Sequence, residues 1–239
     1  MRIAIVSDIH GNRTAFEAVL ADLKETAPDV ILHGGDLADS GSSPVEIIDH
    51  IRYLGWPGVA GNTDQMLSSP QTLTEFASQS PALQSMFAAI EEMAAYTREA
   101  LGPARLAWLS ALPQSQVIET IALVHASPGD SWRAPAPEAS DAELQRAFTP
   151  LIARIVVHAH VHRPYIRRLP EMIVANTGSV SLSYDGDRRA AYLLVDDEKL
   201  EIRRVEYDLE KELNTLRTCG LAHSDWVERM LIGARPEIP

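Results

Sequence analysis

The chain has 239 residues and a formal net charge of −12, with eight histidines and one cysteine. The single cysteine, Cys219, excludes an internal disulfide and any cysteine-based zinc site, and fits a reducing cytoplasm. The acidic balance opposes broad electrostatic binding to duplex nucleic acid, and no apolar run of roughly 18 residues is present to span a membrane.

The opening stretch MRIAIVSDIHGN has too short an apolar segment for a signal peptide, and RIAIVS reads as a buried strand. Asn12 or Thr14 is placed to cap a helix over 13–25 that buries Ala15, Phe16, Val19, Leu20 and Leu23. VILH at 30–33 predicts a second strand running into Gly34-Gly35-Asp36, followed by a helix over 44–54. GVA at 58–60 predicts a short strand that ends in a turn at Gly61-Asn62-Thr63-Asp64. This alternation predicts parallel strands with helical crossovers, whose carboxyl ends collect ligands. Residues 70–112 read as an insertion of two or three helices, with Met86, Phe87, Ile90, Met93 and Ala94 on a core-facing side; these helices offer a lid or a surface for self-association. QVIET and IALVHA predict a hairpin that delivers His125, and a short helix follows over 141–148. The strands RIVVHA, YIRRL, MIVAN, AAYLLVD and LEIRRVEYD come next, and the last two form a hairpin. An amphipathic helical tail begins near residue 208. With no repeat, low-complexity tract or linker, 1–239 reads as one domain.

VVHAHVHRP places His158, His160 and His162 at alternate positions, where an extended strand would turn them to one face. By itself this pattern leaves metal binding and a merely polar strand equally open. The wider order decides more: Asp8-Ile9-His10, Gly35-Asp36, Gly61-Asn62-Thr63-Asp64, His125 and His160-Val161-His162 each follow a predicted strand. In this order the motifs resemble those of the calcineurin-like metallophosphoesterases, which carry D-x-H, G-D, G-N-x-D/E, a lone His and G-H-x-H. The resemblance runs from Met1 to about Val195, and the stretch ANTGSVSLSYDGDRRAAYLLVD is similar to a compact bacterial branch of that family.

The resemblance implies an α/β fold, a four-layer sandwich of two mixed β-sheets flanked by α-helices. It implies two divalent metal ions: Asp8, His10, Asp36 and His162 around one, and Asp36, Asn62, His125 and His160 around the other. Such ligands suit manganese first, with iron, zinc, cobalt and nickel as alternatives. The implied activity is phosphoester hydrolysis by a metal-bridging hydroxide on a small phosphorylated substrate, in the cytoplasm. Alternatives are a phosphatase acting on phosphoproteins or dinucleoside polyphosphates, and a non-catalytic scaffold of the same fold. One departure shifts the expectation toward diesters. Many members have a proton-donating His after G-N, but here the residue is Thr63, whose hydroxyl has no useful acidity near pH 7. The catalytic candidates are therefore Asn62, Thr63 and Asp64, with Asp64 expected to orient its loop or a neighbouring His. Asn12 and Arg13 are candidate substrate contacts. His158 and His33 read as packing beside the site, His50 as a helix-surface residue, and His223 as part of the tail.

Overall fold

A computed structural model describes all 239 residues. The strands are β1 (Arg2–Val6), β2 (Val30–His33), β3 (Ser115–Ile118), β4 (Ile121–Val124), β5 (Ile155–His158), β6 (Tyr165–Arg168), β7 (Ile173–Asn176), β8 (Ala190–Asp196) and β9 (Lys199–Val205). The helices are α1 (Arg13–Thr26), α2 (Pro44–Leu54), α3 (Asn62–Ser68), α4 (Gln71–Ser78), α5 (Gln84–Ser110), α6 (Asp141–Phe148), α7 (Leu209–Thr218) and α8 (Ser224–Gly233). The first sheet has the order β2-β1-β8-β9, and only β1 and β2 are parallel. The second has the order β3-β4-β5-β7-β6, with β4, β5 and β7 parallel and both edge strands antiparallel.

Strand periodicity explains the layering. On β1, Ile3 and Ile5 face the second sheet, where they meet a core that includes Leu123, Val157 and Ile173. Ala4 and Val6 face the opposite way, into a core built with Phe16 of α1 and Ile48 of α2. A strand buried on both faces has no reason to alternate in polarity, which is why IAIV at 3–6 and IALV at 121–124 are unbroken apolar runs. On the far side, Leu144 and Phe148 of α6 cover Val124, Val156 and Val174. The result is helix, sheet, sheet, helix, as the resemblance implied.

Two local expectations are corrected. GVA at 58–60 contributes only one bridge, His33 to Gly58. Asn62-Thr63-Asp64 is not a strand-ending turn but the first turn of α3, because the Asp64 carboxylate accepts the Gly61 N–H at 2.9 Å and caps the helix. In the 70–112 segment, α5 bends at Gly102, whose φ is 65°, just before Pro103. Its apolar residues split between two directions. Phe87, Ala94 and Leu101 pack into the first-sheet core, whereas Met86, Ile90 and Met93 turn toward a cavity. No helix is long and apolar enough to cross a membrane.

Candidate metal centre

The carboxyl ends of β1, β2, β4 and β5 meet at one corner of the sandwich. Each loop leaves its strand abruptly. Asp8, His10, Asp36, His160 and His162 all have φ between 47° and 70°, in the left-handed region that non-glycine residues seldom occupy. The loops are stitched to one another by their backbones. Asp8 N–H donates to Gly35 O at 3.0 Å, His10 N–H to Asp36 O at 3.0 Å, and Ala159 N–H to His125 O at 2.8 Å. Glycine is required where the β2 loop meets the loop ahead of α3: a Cβ on Gly35 would stand 2.4 Å from Gly61 N.

Ligand atoms of Asp8, His10, Asp36 and His162 all lie within 4.8 Å of one another, and all four residues are buried. The hydrogen bonds reveal what this cluster lacks. His10 Nδ1 is 3.0 Å from Asp39 O, and His162 Nδ1 is 2.5 Å from Leu182 O. A carbonyl only accepts, so both Nδ1 atoms carry a proton, and in the neutral imidazole, the form that binds metal, each Nε2 presents a bare lone pair. Those Nε2 atoms face each other at 3.3 Å, with Asp8 Oδ1 3.2 Å from His162 Nε2 and Asp36 Oδ2 3.8 Å from His10 Nε2. Acceptors facing acceptors in a buried pocket repel unless a cation sits among them, so this donor set fits a divalent metal.

The other oxygen of Asp36 looks toward a second group. His125 Nε2 lies 3.5 Å from Asp36 Oδ1 and 3.0 Å from Asn62 Oδ1, and His160 Nδ1 lies 2.8 Å from the same Asn62 oxygen. His125 Nδ1 donates to Gly34 O at 2.7 Å, which again aims Nε2 at the cluster. Burial opposes charge on His125, but the Asp36 carboxylate outweighs it and holds the imidazole up at about 9. A proton on Nε2 thus does for Asp36 what a metal cation would do. Burial likewise pushes Asp36 upward, and His125 and His10 more than reverse it, leaving its pKa well below the ordinary value. His160 shows the opposite balance, with burial drawing it down to about 4.

A profile of the calcineurin-like phosphoesterase superfamily domain matches residues 1–199. The chain belongs to that superfamily. An uncharacterized protein of Methanocaldococcus jannaschii is 28% identical over 97% of this chain and 98% of its own. A metallophosphoesterase from Sphaerobacter thermophilus superposes with a TM-score of 0.80 at 25% identity, covering 98% of this chain and 99% of its own. A Synechococcus protein named as a probable cyclic nucleotide phosphodiesterase is 41% identical over 68 residues, 27% of this chain and 25% of its own.

Within this calcineurin-like site the remaining candidates have distinct places. Asp64 has both oxygens occupied, Oδ2 by the N–H groups of Asp36 at 2.8 Å and Gly61 at 2.9 Å, and Oδ1 by Leu37 N–H at 3.1 Å. It therefore positions the Asp36 and Asn62 loops and does not reach the centre. Burial and the neighbouring Asp36 push its carboxyl up to about 6. The Thr63 N–H donates to Asp36 Oδ1 at 2.9 Å; the residue lines the cavity above the cluster, and its hydroxyl is buried with no partner.

Both candidate substrate contacts are corrected. Asn12 is 1% exposed, its Oδ1 capping α1 through Ala15 N–H at 2.9 Å and its Nδ2 donating to Ser181 Oγ at 3.2 Å. Arg13 points outward and pairs with Glu17 one turn along at 2.6 Å, because the helix starts there and carries it off the site face. His158 lies on the outer face of the second sheet, beside Phe148 and 2.6 Å from the Tyr165 hydroxyl, and His33 packs against Trp108. His50 meets Phe16 edge-on, and His223 pairs with Glu92 at 3.0 Å.

Other residues brace or line the site. Asn176 donates to Ala159 O at 2.6 Å, and Ser179 Oγ donates to Asp8 O at 2.8 Å, so the Asn-Thr-Gly-Ser turn fastens two ligand loops together. Tyr184 stacks on His162 with ring centroids 4.7 Å apart. A cavity of about 250 Å³ opens over His10, Asp36, Asn62, His160 and His162, and its walls come largely from α3, α5 and α8. The Asn-x-Gly-Ser stretch was visible as a turn. Nothing in the sequence marked Tyr184 or the cavity wall.

Proposed function

We propose that this chain is a binuclear, divalent-metal-dependent phosphoester hydrolase that prefers diesters and works in the cytoplasm. The observation that carries the reading is the placement of Asp36 between two groups of inward-facing side chains, Oδ2 toward His10 and Oδ1 toward His125. One carboxylate set between two such groups suits a pair of cations that it holds at a fixed spacing. Asp8, His10 and His162 would complete one side, and Asn62, His125 and His160 the other. When bound, divalent cations lower the pKa of a ligated water and neutralise charge on the phosphoryl oxygens; manganese suits the mixed oxygen and nitrogen donors.

The chain's own residues supply orientation. Backbone carbonyls of Asp39, Leu182 and Gly34 fix the tautomers of His10, His162 and His125. Asp64 fixes the separation of the Asp36 and Asn62 loops. Thr63 offers a neutral hydroxyl to a substrate oxygen where a proton donor would assist a poor leaving group. That supports diesters with good leaving groups over alkyl monoesters. The Synechococcus relative's name leans the same way, although the matched region is short. All seven ligand positions are present, which favours an enzyme over a scaffold. The test is turnover of an aryl diester and an aryl monoester with manganese, in wild type, His10→Ala and Asp36→Asn. Diester preference in wild type and loss of about 1,000-fold or more in both variants is expected. Unchanged turnover in both variants would overturn the enzyme reading, and a large monoester excess would overturn the diester preference.

A further inference from the structure

The cavity above the cluster has a polar floor and an apolar chamber over it. Four of the chain's six methionines line it: Met66, Met86, Met93 and Met230. Trp132, Tyr184 and Trp226 add aromatic faces. Residues Pro236 and Glu237 form part of the far wall. They are held there by Trp226 Nε1, which donates to Glu237 O at 3.0 Å, and by the Gly186 N–H, which donates to Ala234 O at 3.0 Å. No lysine or arginine lines the chamber, and its charged side chains beyond the histidines are Asp36, Asp39 and Glu237, all acidic. Asp39 keeps one oxygen without a partner.

We propose that the substrate is an ester of a single phosphate whose organic group is apolar and is buried in this methionine-lined chamber. The proposal rests on the phosphoesterase reading and adds the substrate class. The cluster can neutralise one phosphoryl group. A second phosphate would have to enter the chamber, where it would meet thioethers and the carboxylates of Asp36 and Asp39, while Arg229 and Arg235 are taken up by Glu237 at 3.3 and 3.2 Å, and burying an unpaired anion is costly. This disfavours dinucleoside polyphosphates. A phosphoprotein side chain would have to bring polar backbone against the same apolar walls. A nucleobase would find acceptors only at Asp39 and Glu237 and would leave its other edge atoms against methionine and isoleucine, unpaired. An aryl or alkyl group meets no such cost. Flexible, polarisable methionines adapt to its shape.

The test is a series of p-nitrophenyl alkyl phosphate diesters, methyl, propyl and hexyl, which share phosphorus and leaving group. Hydrolysis by the manganese-loaded protein should gain about fourfold in kcat/KM per added methylene until the chamber fills. Met86→Gln should lower kcat/KM for the hexyl ester more than for the methyl ester and so flatten the series, and Met86→Leu should restore it. A flat series in wild type, or faster turnover of p-nitrophenyl thymidine 5′-phosphate than of the hexyl ester, would overturn the proposal. Calorimetry with methylphosphonate and hexylphosphonate separates the two readings. If no ester turns over yet hexylphosphonate binds more tightly, the enzyme reading fails and the chamber assignment stands. Equal binding of the two phosphonates removes the assignment.

Discussion

Gly61→Ala tests whether the spacing of the centre is set by backbone contact. Gly61 has φ −88° and ψ 176°, a conformation alanine adopts without strain, so the substitution adds only a methyl group. That Cβ would stand 2.0 Å from Asp36 Oδ1 and 2.6 Å from Asp36 N. To reach ordinary van der Waals contact, the shared carboxylate or the Asn62 loop must withdraw by about 1.4 Å. Overpacking of this kind costs about 1–3 kcal/mol. A displacement of about 1 Å in a reacting constellation lowers turnover about 100-fold. The expected outcome is therefore a modest fall in the free energy of urea unfolding in EDTA, a sharp loss of retained metal after gel filtration, and a loss of about 100-fold in kcat/KM. Gly55→Ala is the control. Its φ is 67° and nothing lies within 4 Å of the added Cβ, so it should cost about 1–2 kcal/mol of stability through backbone strain and leave metal and turnover unchanged. A Gly61→Ala protein with wild-type metal content and turnover would refute the argument.

Two further outcomes follow from buried groups near the site. Thr63→Val replaces a buried, unpartnered hydroxyl with a methyl group of the same shape, so stability should stay within about 0.5 kcal/mol while kcat/KM falls about tenfold; an unchanged kcat/KM would remove Thr63 from substrate contact. Burial holds His33 neutral and draws its pKa to about 4, against about 6.5 in the unfolded chain. The unfolded state binds the extra proton between those values, so its contribution to stability is whole above about pH 6.5 and is lost as pH falls toward 4. At about pH 5 the loss is about 2 kcal/mol, and His33→Gln should gain that much relative to wild type between about pH 7.5 and pH 5. A pH-independent difference in urea unfolding would count against a buried neutral imidazole.

Much of the centre was legible because its residues sit at strand ends, and strand ends are marked by short apolar runs meeting Gly, Asp, Asn or His. Asp8, Asp36, His125 and His160 were found in that way. Legibility stopped where adjacency in sequence is not adjacency in space. Arg13 follows His10 closely, yet α1 begins at Arg13 and turns it to Glu17. It stopped again on α5, where Met86, Ile90 and Met93 share a helical stripe that reads the same whether it faces a packed core or a cavity. Only the position of α8, a long way off in sequence, decides between the two.

The backbone angles at the ligands add a thermodynamic consequence. Five of the candidate ligand residues hold a left-handed conformation that costs about 1–2 kcal/mol each in an L-residue, and two of them aim imidazole Nε2 atoms at each other. The surrounding hydrogen bonds from Asp64, Asn176 and Ser179 hold the loops in place against that cost. Relief of the lone-pair repulsion must come from whatever binds between those nitrogens. The proposed metal corner is therefore the corner a cation would stabilise most. Divalent metal should raise the unfolding midpoint of wild type by the binding linkage, about 2.7 kcal/mol at a hundredfold excess over the dissociation constant, and should leave His162→Ala much less affected. Equal stabilisation of both proteins would place the ion elsewhere and leave the strained turns without a reason.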